Sequence, residues 1–119
     1  GPQPDGRLPR QALKTIAELG NWLKIYGEAI YCTRPYPPYR TGNLAFTGKD
    51  GKVYVFYLYM DENETMVDEL FIPIELKAKS VSLLGTKQAV SFSNTNNGVK
   101  ISLPKREGKA PVCDIFVLE

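Results

Sequence analysis

The sequence holds 119 residues, room for one ordinary domain or a small domain with an appended element, and too few for two independent cores. Hydrophobic residues at 43% and charged residues at 24% describe a chain that folds, while a net charge of +2 from 15 basic and 13 acidic side chains, scattered along the sequence, offers no stripe for nucleic acid. The absence of histidine removes Ser-His-Asp and Cys-His nucleophile systems and every His-containing zinc site from this stretch of chain.

In chain order, Gly1 to Leu8 contain Pro4-Asp5-Gly6 and read as a loop, because Pro presets its φ, Asp hydrogen-bonds locally and Gly accepts a positive φ. Pro9 then suits a first helical turn. Ala12, Leu13, Ile16, Leu19, Leu23 and Tyr26 recur at three- and four-residue spacing, which predicts an amphipathic helix over residues 9 to 26. Lys14, Glu18, Asn21 and Lys24 fall on its other face, and Gly27 stands where a left-handed cap would end it.

Arg34-Pro35-Tyr36-Pro37-Pro38-Tyr39-Arg40 follows, where three prolines exclude helix and interior strand and favour polyproline II; residues 34–42 are expected to be a linker. From Asn43 the period changes to two. Leu44 to Thr47 and Val53 to Tyr59 flank an Asp50-Gly51 turn, a strong hairpin signal. Further strand-like runs at Leu70–Leu76, Ser80–Leu84, Ala89–Ser93, Val99–Leu103 and Val112–Leu118 complete a mainly β chain, an antiparallel sandwich of about seven strands preceded by one helix. No apolar run approaches the ~18–20 residues of a membrane span, and the opening residues lack the layout of a signal peptide. A helix of about 27 Å, at 1.5 Å per residue, must bury its apolar stripe on something, so the chain reads as incomplete at its N-terminal end.

Three stretches carry a resemblance: Gly1-Pro2-Gln3-Pro4-Asp5-Gly6-Arg7-Leu8-Pro9, then Ile16-Ala17-Glu18-Leu19-Gly20-Asn21-Trp22-Leu23-Lys24, then Gly27-Glu28-Ala29-Ile30-Tyr31-Cys32-Thr33-Arg34-Pro35. Together they resemble the end of the catalytic domain of α-L-fucosidases, the family 29 glycoside hydrolases. The resemblance implies that residues 1–33 are the last loop and helix of a (β/α) barrel and residues 43–119 a C-terminal β-sandwich. Cys32 departs from the family, which usually has Gly at that place. Retaining glycosidases use two carboxyl groups about 5–5.5 Å apart. The resemblance places both upstream of Gly1, so no catalytic residue, cofactor or metal is expected within this sequence.

Individual residues have other readings. Turn formation accounts for Asp5, and a helix-end or interface role for Glu28. The acidic cluster Asp61, Glu62, Glu64, Asp68 and Glu69 has the chemistry of a Ca²⁺ site, but Met66 stands where an EF-hand needs its turn glycine, and a solvated loop is the simpler reading. Tyr36, Tyr39, Tyr57 and Tyr59 could stack on sugars, although alternate aromatics on strands usually serve packing. Trp22 reads as a packing residue. Cys32 and Cys113 read as two free thiols.

The expected function is therefore the structural, non-catalytic C-terminal portion of a retaining enzyme that releases terminal α-L-fucose. The implied partners are the upstream barrel and, through the parent, a fucosylated glycan, with neither nucleic acid nor membrane, and with self-association through the helix face as an option. The family suggests a secreted, periplasmic or lysosomal setting. The alternatives are a stand-alone carbohydrate-binding sandwich and an adaptor presenting Pro35 to Arg40 as a peptide ligand.

Overall fold

The computed structural model describes residues 16–119. The expected loop at Gly1–Leu8 and the first turns of the predicted helix lie outside the described residues. Helix α1 (Ile16–Tyr26) carries Lys24 in its last turn, where a cation complements the exposed carbonyls. A short 3-10 turn (Gly27–Ala29) follows, and then eight strands. These are β1 (Arg34–Thr41), β2 (Leu44–Lys49), β3 (Lys52–Leu58), β4 (Glu69–Ile72), β5 (Val81–Leu83), β6 (Ser91–Asn94), β7 (Val99–Ser102) and β8 (Cys113–Leu118).

They form two antiparallel sheets, one of five strands in the order β1-β2-β3-β8-β5 and one of three in the order β4-β7-β6. The principal core lies between them. Phe46, Val53, Val55, Val81, Leu83, Phe116 and Leu118 from the large sheet pack with Ile72, Val99 and Ile101 from the small one. Strand β7 alternates buried and exposed residues, as a strand with one wet face must, whereas β8 is buried along its whole length. Its second face belongs to another cluster, in which Tyr54, Phe56, Ile115 and Val117 lie under Ala29, Trp22 and Tyr26.

The β2–β3 hairpin forms as expected, with Lys49 paired to Lys52 and both Asp50 (φ 51) and Gly51 (φ 79) left-handed, the pair of positive φ values a type I′ turn requires. At the β6–β7 turn, Gly98 is fixed by space instead: a Cβ there would stand 2.1 Å from the Ile72 carbonyl oxygen.

Two expectations need correction. Residues 34–42 are not a free polyproline spacer, because Arg34–Thr41 is strand β1, paired with β2 at the edge of the large sheet. Prolines lack the N–H that an interior strand must donate on both sides, and an edge strand tolerates them. The ladder is accordingly irregular between Pro35 and Arg40, where Tyr39 takes a φ of 71. Nor is Gly27 a left-handed cap. It opens the 3-10 turn, its carbonyl accepts from the amides of Ile30 and Tyr31, and the left-handed residue comes later, at Cys32 (φ 59). Cys32 thus holds a conformation suited to the glycine usual in the resembled family.

Candidate functional site

The 3-10 turn and the chain after it lie as a strap across the outer face of β2 and β3. Strand parity explains the attachment, because Thr47, Lys49, Lys52, Tyr54 and Phe56 all project to that face. Thr47 Oγ1 donates to the Ala29 carbonyl (2.8 Å), Lys49 Nζ to the Tyr31 carbonyl (3.2 Å), and the Tyr54 hydroxyl to Glu28 Oε2 (3.0 Å). Burial and the bond to Glu28 push the Tyr54 hydroxyl up to about 12. Ala29, within the strap, is fully buried against the sheet, and Trp22 stacks obliquely on Tyr26 with ring centroids 5.2 Å apart.

At the helix end and on the strap itself, three apolar side chains face solvent: Ile25 is 53% exposed, Ile30 43% and Tyr31 55%. They follow one another across the end of α1 and the start of the strap. One exposed apolar residue needs no explanation, whereas three within seven residues of the helix end are a feature to account for.

At the far end of the sandwich from the hairpin tip, a buried polar network seals the loops. Asp114 sits on the core-facing side of β8, in register with Tyr57, and is almost fully buried. Arg106 Nη1 and Nη2 donate to its two carboxylate oxygens at 3.0 and 2.8 Å, the Tyr59 hydroxyl donates to Oδ2 at 2.6 Å, and the Val67 amide donates to the Tyr59 oxygen at 2.9 Å. Arg106 Nη2 also reaches the Val67 carbonyl at 2.9 Å. Burial, and then the bond to Asp114, raises the Tyr59 hydroxyl well above its ordinary value, and the bond to Asp114 holds Arg106 charged. Both carboxylate oxygens of Asp114 and both terminal nitrogens of Arg106 are engaged within the network, the geometry of a structural clasp.

The candidates singled out in the sequence are dispersed. Asp5 lies outside the described residues. Glu28 is occupied by Tyr54. In the acidic loop, Asp61 accepts from the Asn63 amide and Glu64 from that of Met60, while Glu62 lies 3.9 Å from the Lys109 ammonium. Among the described residues, no three His, Cys, Asp or Glu side chains come together as a metal set. Of the tyrosines, Tyr59 is 1% exposed, Tyr57 lies against it and the core, and Tyr36 packs partly into the core, leaving Tyr39 exposed. Both thiols are free, Cys32 exposed and Cys113 buried, and burial pushes the Cys113 thiol up to about 12. The Pro35–Arg40 segment is committed to the sheet edge and to the core, which leaves the peptide-adaptor reading without a free ligand.

Comparison with known proteins decides the family. The profile of the alpha-L-fucosidase C-terminal domain matches residues 38–118. The chain belongs to the α-L-fucosidase C-terminal domain family. Human tissue alpha-L-fucosidase is 30% identical over 109 residues, a match covering 88% of this chain and 23% of that protein. Dictyostelium discoideum alpha-L-fucosidase is 31% identical over 110 residues, covering 87% and 21%. Thermotoga maritima alpha-fucosidase superimposes with a TM-score of 0.65 at 24% identity, over 86% of this chain and 25% of that one. Alpha-L-fucosidase isoenzyme 1 from Paenibacillus thiaminolyticus gives 0.67 at 16% identity, over 85% and 24%. These two structural likenesses show the shared fold. The fucosidase C-terminal domain described by this chain spans about a quarter of the length of the proteins it matches.

Proposed function

We propose that this chain is the non-catalytic C-terminal layer of a retaining α-L-fucosidase, and that residues 1–33 are the end of the catalytic barrel to which the sandwich is docked. The single observation that carries this reading is the strap: a helix end and 3-10 turn hydrogen-bonded onto the sandwich through Glu28, Ala29 and Tyr31, with the side chains of Ile25, Ile30 and Tyr31 still exposed. The junction is fastened to the sheet, and its exposed apolar side chains are surface that a further body can cover. Burial of that surface against a barrel would stabilise the pair by roughly 25 cal/mol per Å² of apolar area.

The two catalytic carboxylates would belong to the barrel, and the role left to this chain is to hold the barrel's last helix in place. The fucosylated glycan would then be met by the barrel. A hydrolysis assay with a chromogenic α-L-fucoside tests the division of labour. The 119-residue chain alone should show no turnover above buffer, and the protein encoded by the reading frame extended upstream of Gly1 should release fucose with retained configuration. Turnover by the chain alone, or an upstream frame that cannot encode a barrel, would overturn the proposal.

A further inference from the structure

The sequence holds a single Asn-Gly pair, Asn97-Gly98, in the turn that joins β6 to β7. An asparagine amide is chemically labile, and most so before glycine, whose missing side chain lets its own nitrogen approach the asparagine side chain. In that reaction the Gly98 nitrogen bonds to Asn97 Cγ, the Asn97 side-chain nitrogen leaves as ammonia, and the Gly98 amide proton passes to solvent. Water then opens the cyclic imide. Opening at the side-chain carbon gives aspartate on an ordinary backbone; opening at the main-chain carbon gives isoaspartate, which adds a methylene to the chain. The balance is an amide and water in, a carboxylate and ammonium out.

Asn97 is exposed, and its backbone amide makes the bond recorded for it among the described residues, so water and base can reach its side chain. Gly98 beside it is buried. Thr95 Oγ1 accepts from the Asn97 amide at 3.2 Å and from the Gly98 amide at 3.1 Å, and donates to the Gly98 carbonyl at 3.0 Å. The Thr95 amide donates to that same carbonyl at 2.8 Å. One residue therefore engages both the nitrogen that would attack and the carbonyl behind it. Attack requires that nitrogen to give up its proton and its peptide plane to turn toward Asn97 Cγ, and the bonds to Thr95 oppose both.

The rest of the turn is pinned as well. The Asn94 side chain accepts from the Ala78 amide and donates to the Ala78 carbonyl, each at 2.9 Å, and Lys77 Nζ donates to the Thr95 carbonyl at 2.6 Å. None of Asn96, Asn97 and Gly98 takes a positive φ, unlike Asp50 and Gly51 at the other hairpin tip, where a Cβ on Gly51 would meet open space. A Cβ on Gly98 would collide with the Ile72 carbonyl, and Val99 after it is completely buried. An added methylene directly before Gly98 has no room there, and it would displace β7, the middle strand of the small sheet.

We propose that Asn97 is a dormant deamidation site, kept closed by the Thr95 hydroxyl and released when the β6–β7 turn opens. Opening followed by isoaspartate formation is irreversible and frees β7 from its register, so this turn sets the chemical lifetime of the fold. Nothing in this chemistry depends on fucoside hydrolysis.

The test incubates the 119-residue chain at mildly alkaline pH, folded and in denaturant, and follows aspartate and isoaspartate at position 97 by peptide mapping. The folded chain should react at least about tenfold more slowly than the denatured one, as a site that reacts only through local opening does. Thr95→Val, which keeps the shape and loses the hydroxyl, should react about tenfold faster than the folded parent, the factor for losing hydrogen bonds of this kind. Thr95→Ser should match the parent. Ile115→Val, in the outer cluster of the large sheet, controls for stability. Compared at equal unfolded fraction, it should remain slower than Thr95→Val. A parent that reacts as fast folded as denatured, a Thr95→Val variant at the parent's rate, or one no faster than Ile115→Val would overturn the proposal. The isoaspartate form, separated by its added negative charge, should exchange its β7 amides faster and its Phe116 amide unchanged. Unaltered exchange in β7 would overturn the claim that the modification frees that strand.

Discussion

The two faces of the five-stranded sheet are both covered, but by unlike means. The inner face meets a second sheet, and Val55 and Phe116 there are completely buried among the side chains of the core. The outer face meets a thin cover, the end of one helix and a short strap, in which Trp22 and Tyr26 remain half-buried and a few side-chain hydrogen bonds fix the position. The first face specifies a fold by packing alone. The second is finished locally yet still presents Ile25, Ile30 and Tyr31 to the outside.

The contrast can be broken most severely from the inside. Phe116→Ala should cost about 3–5 kcal/mol in chemical denaturation, the range for truncating a buried aromatic in a core that cannot collapse around the cavity. Asp114→Asn removes the charge that Arg106 and Tyr59 converge on; with Arg106 partly open to water, the loss should be about 2–3 kcal/mol, read the same way. An unchanged midpoint for either variant would show that the inner face and its clasp do not dominate stability.

Outer-face changes should be gentler. Trp22→Ala is expected to cost about 1–2 kcal/mol in the 119-residue chain, since half of the indole's burial is lost from a cover and not from a core. Tyr54→Phe deletes the bond to Glu28 and should cost about 0.5–1.5 kcal/mol near neutral pH. Its signature lies in alkali. The Tyr54 hydroxyl titrates near 10 when unfolded and is held up to about 12 in the fold, so its contribution is fully present below pH 10 and is lost as pH rises from 10 through 12. The Phe variant should therefore show a shallower fall in stability across that window than the parent, and parallel curves would refute the assignment.

Much of this division was legible in the residues. The hairpin announced itself because Asp50-Gly51 is chemically specific for a turn with two positive φ values, and the alternating runs after Glu69 marked strands whose bounds shift by a residue or two, except that β4 stops at Ile72, well short of the expected Leu76. Strand β1 escaped because its prolines argue against a ladder, and pattern alone does not reveal that an edge position makes them harmless. Asp114 carried a signal that went unused: an acid within the run Val112–Leu118, two residues before Phe116 on the same face, must find a partner inside. Gly27 looked like a cap from its place after the helical pattern, but the 3-10 turn moved the left-handed residue on to Cys32.

The most direct test of the account is side-chain oxidative footprinting of Ile25, Ile30 and Tyr31 in the 119-residue chain and in the protein translated from the frame extended upstream of Gly1. Strong labelling in the short chain and marked protection in the longer protein, with Phe71 labelled equally in both, is the predicted result. Equal labelling of all three residues in both proteins would contradict the claim that this face exists to be covered by a catalytic barrel.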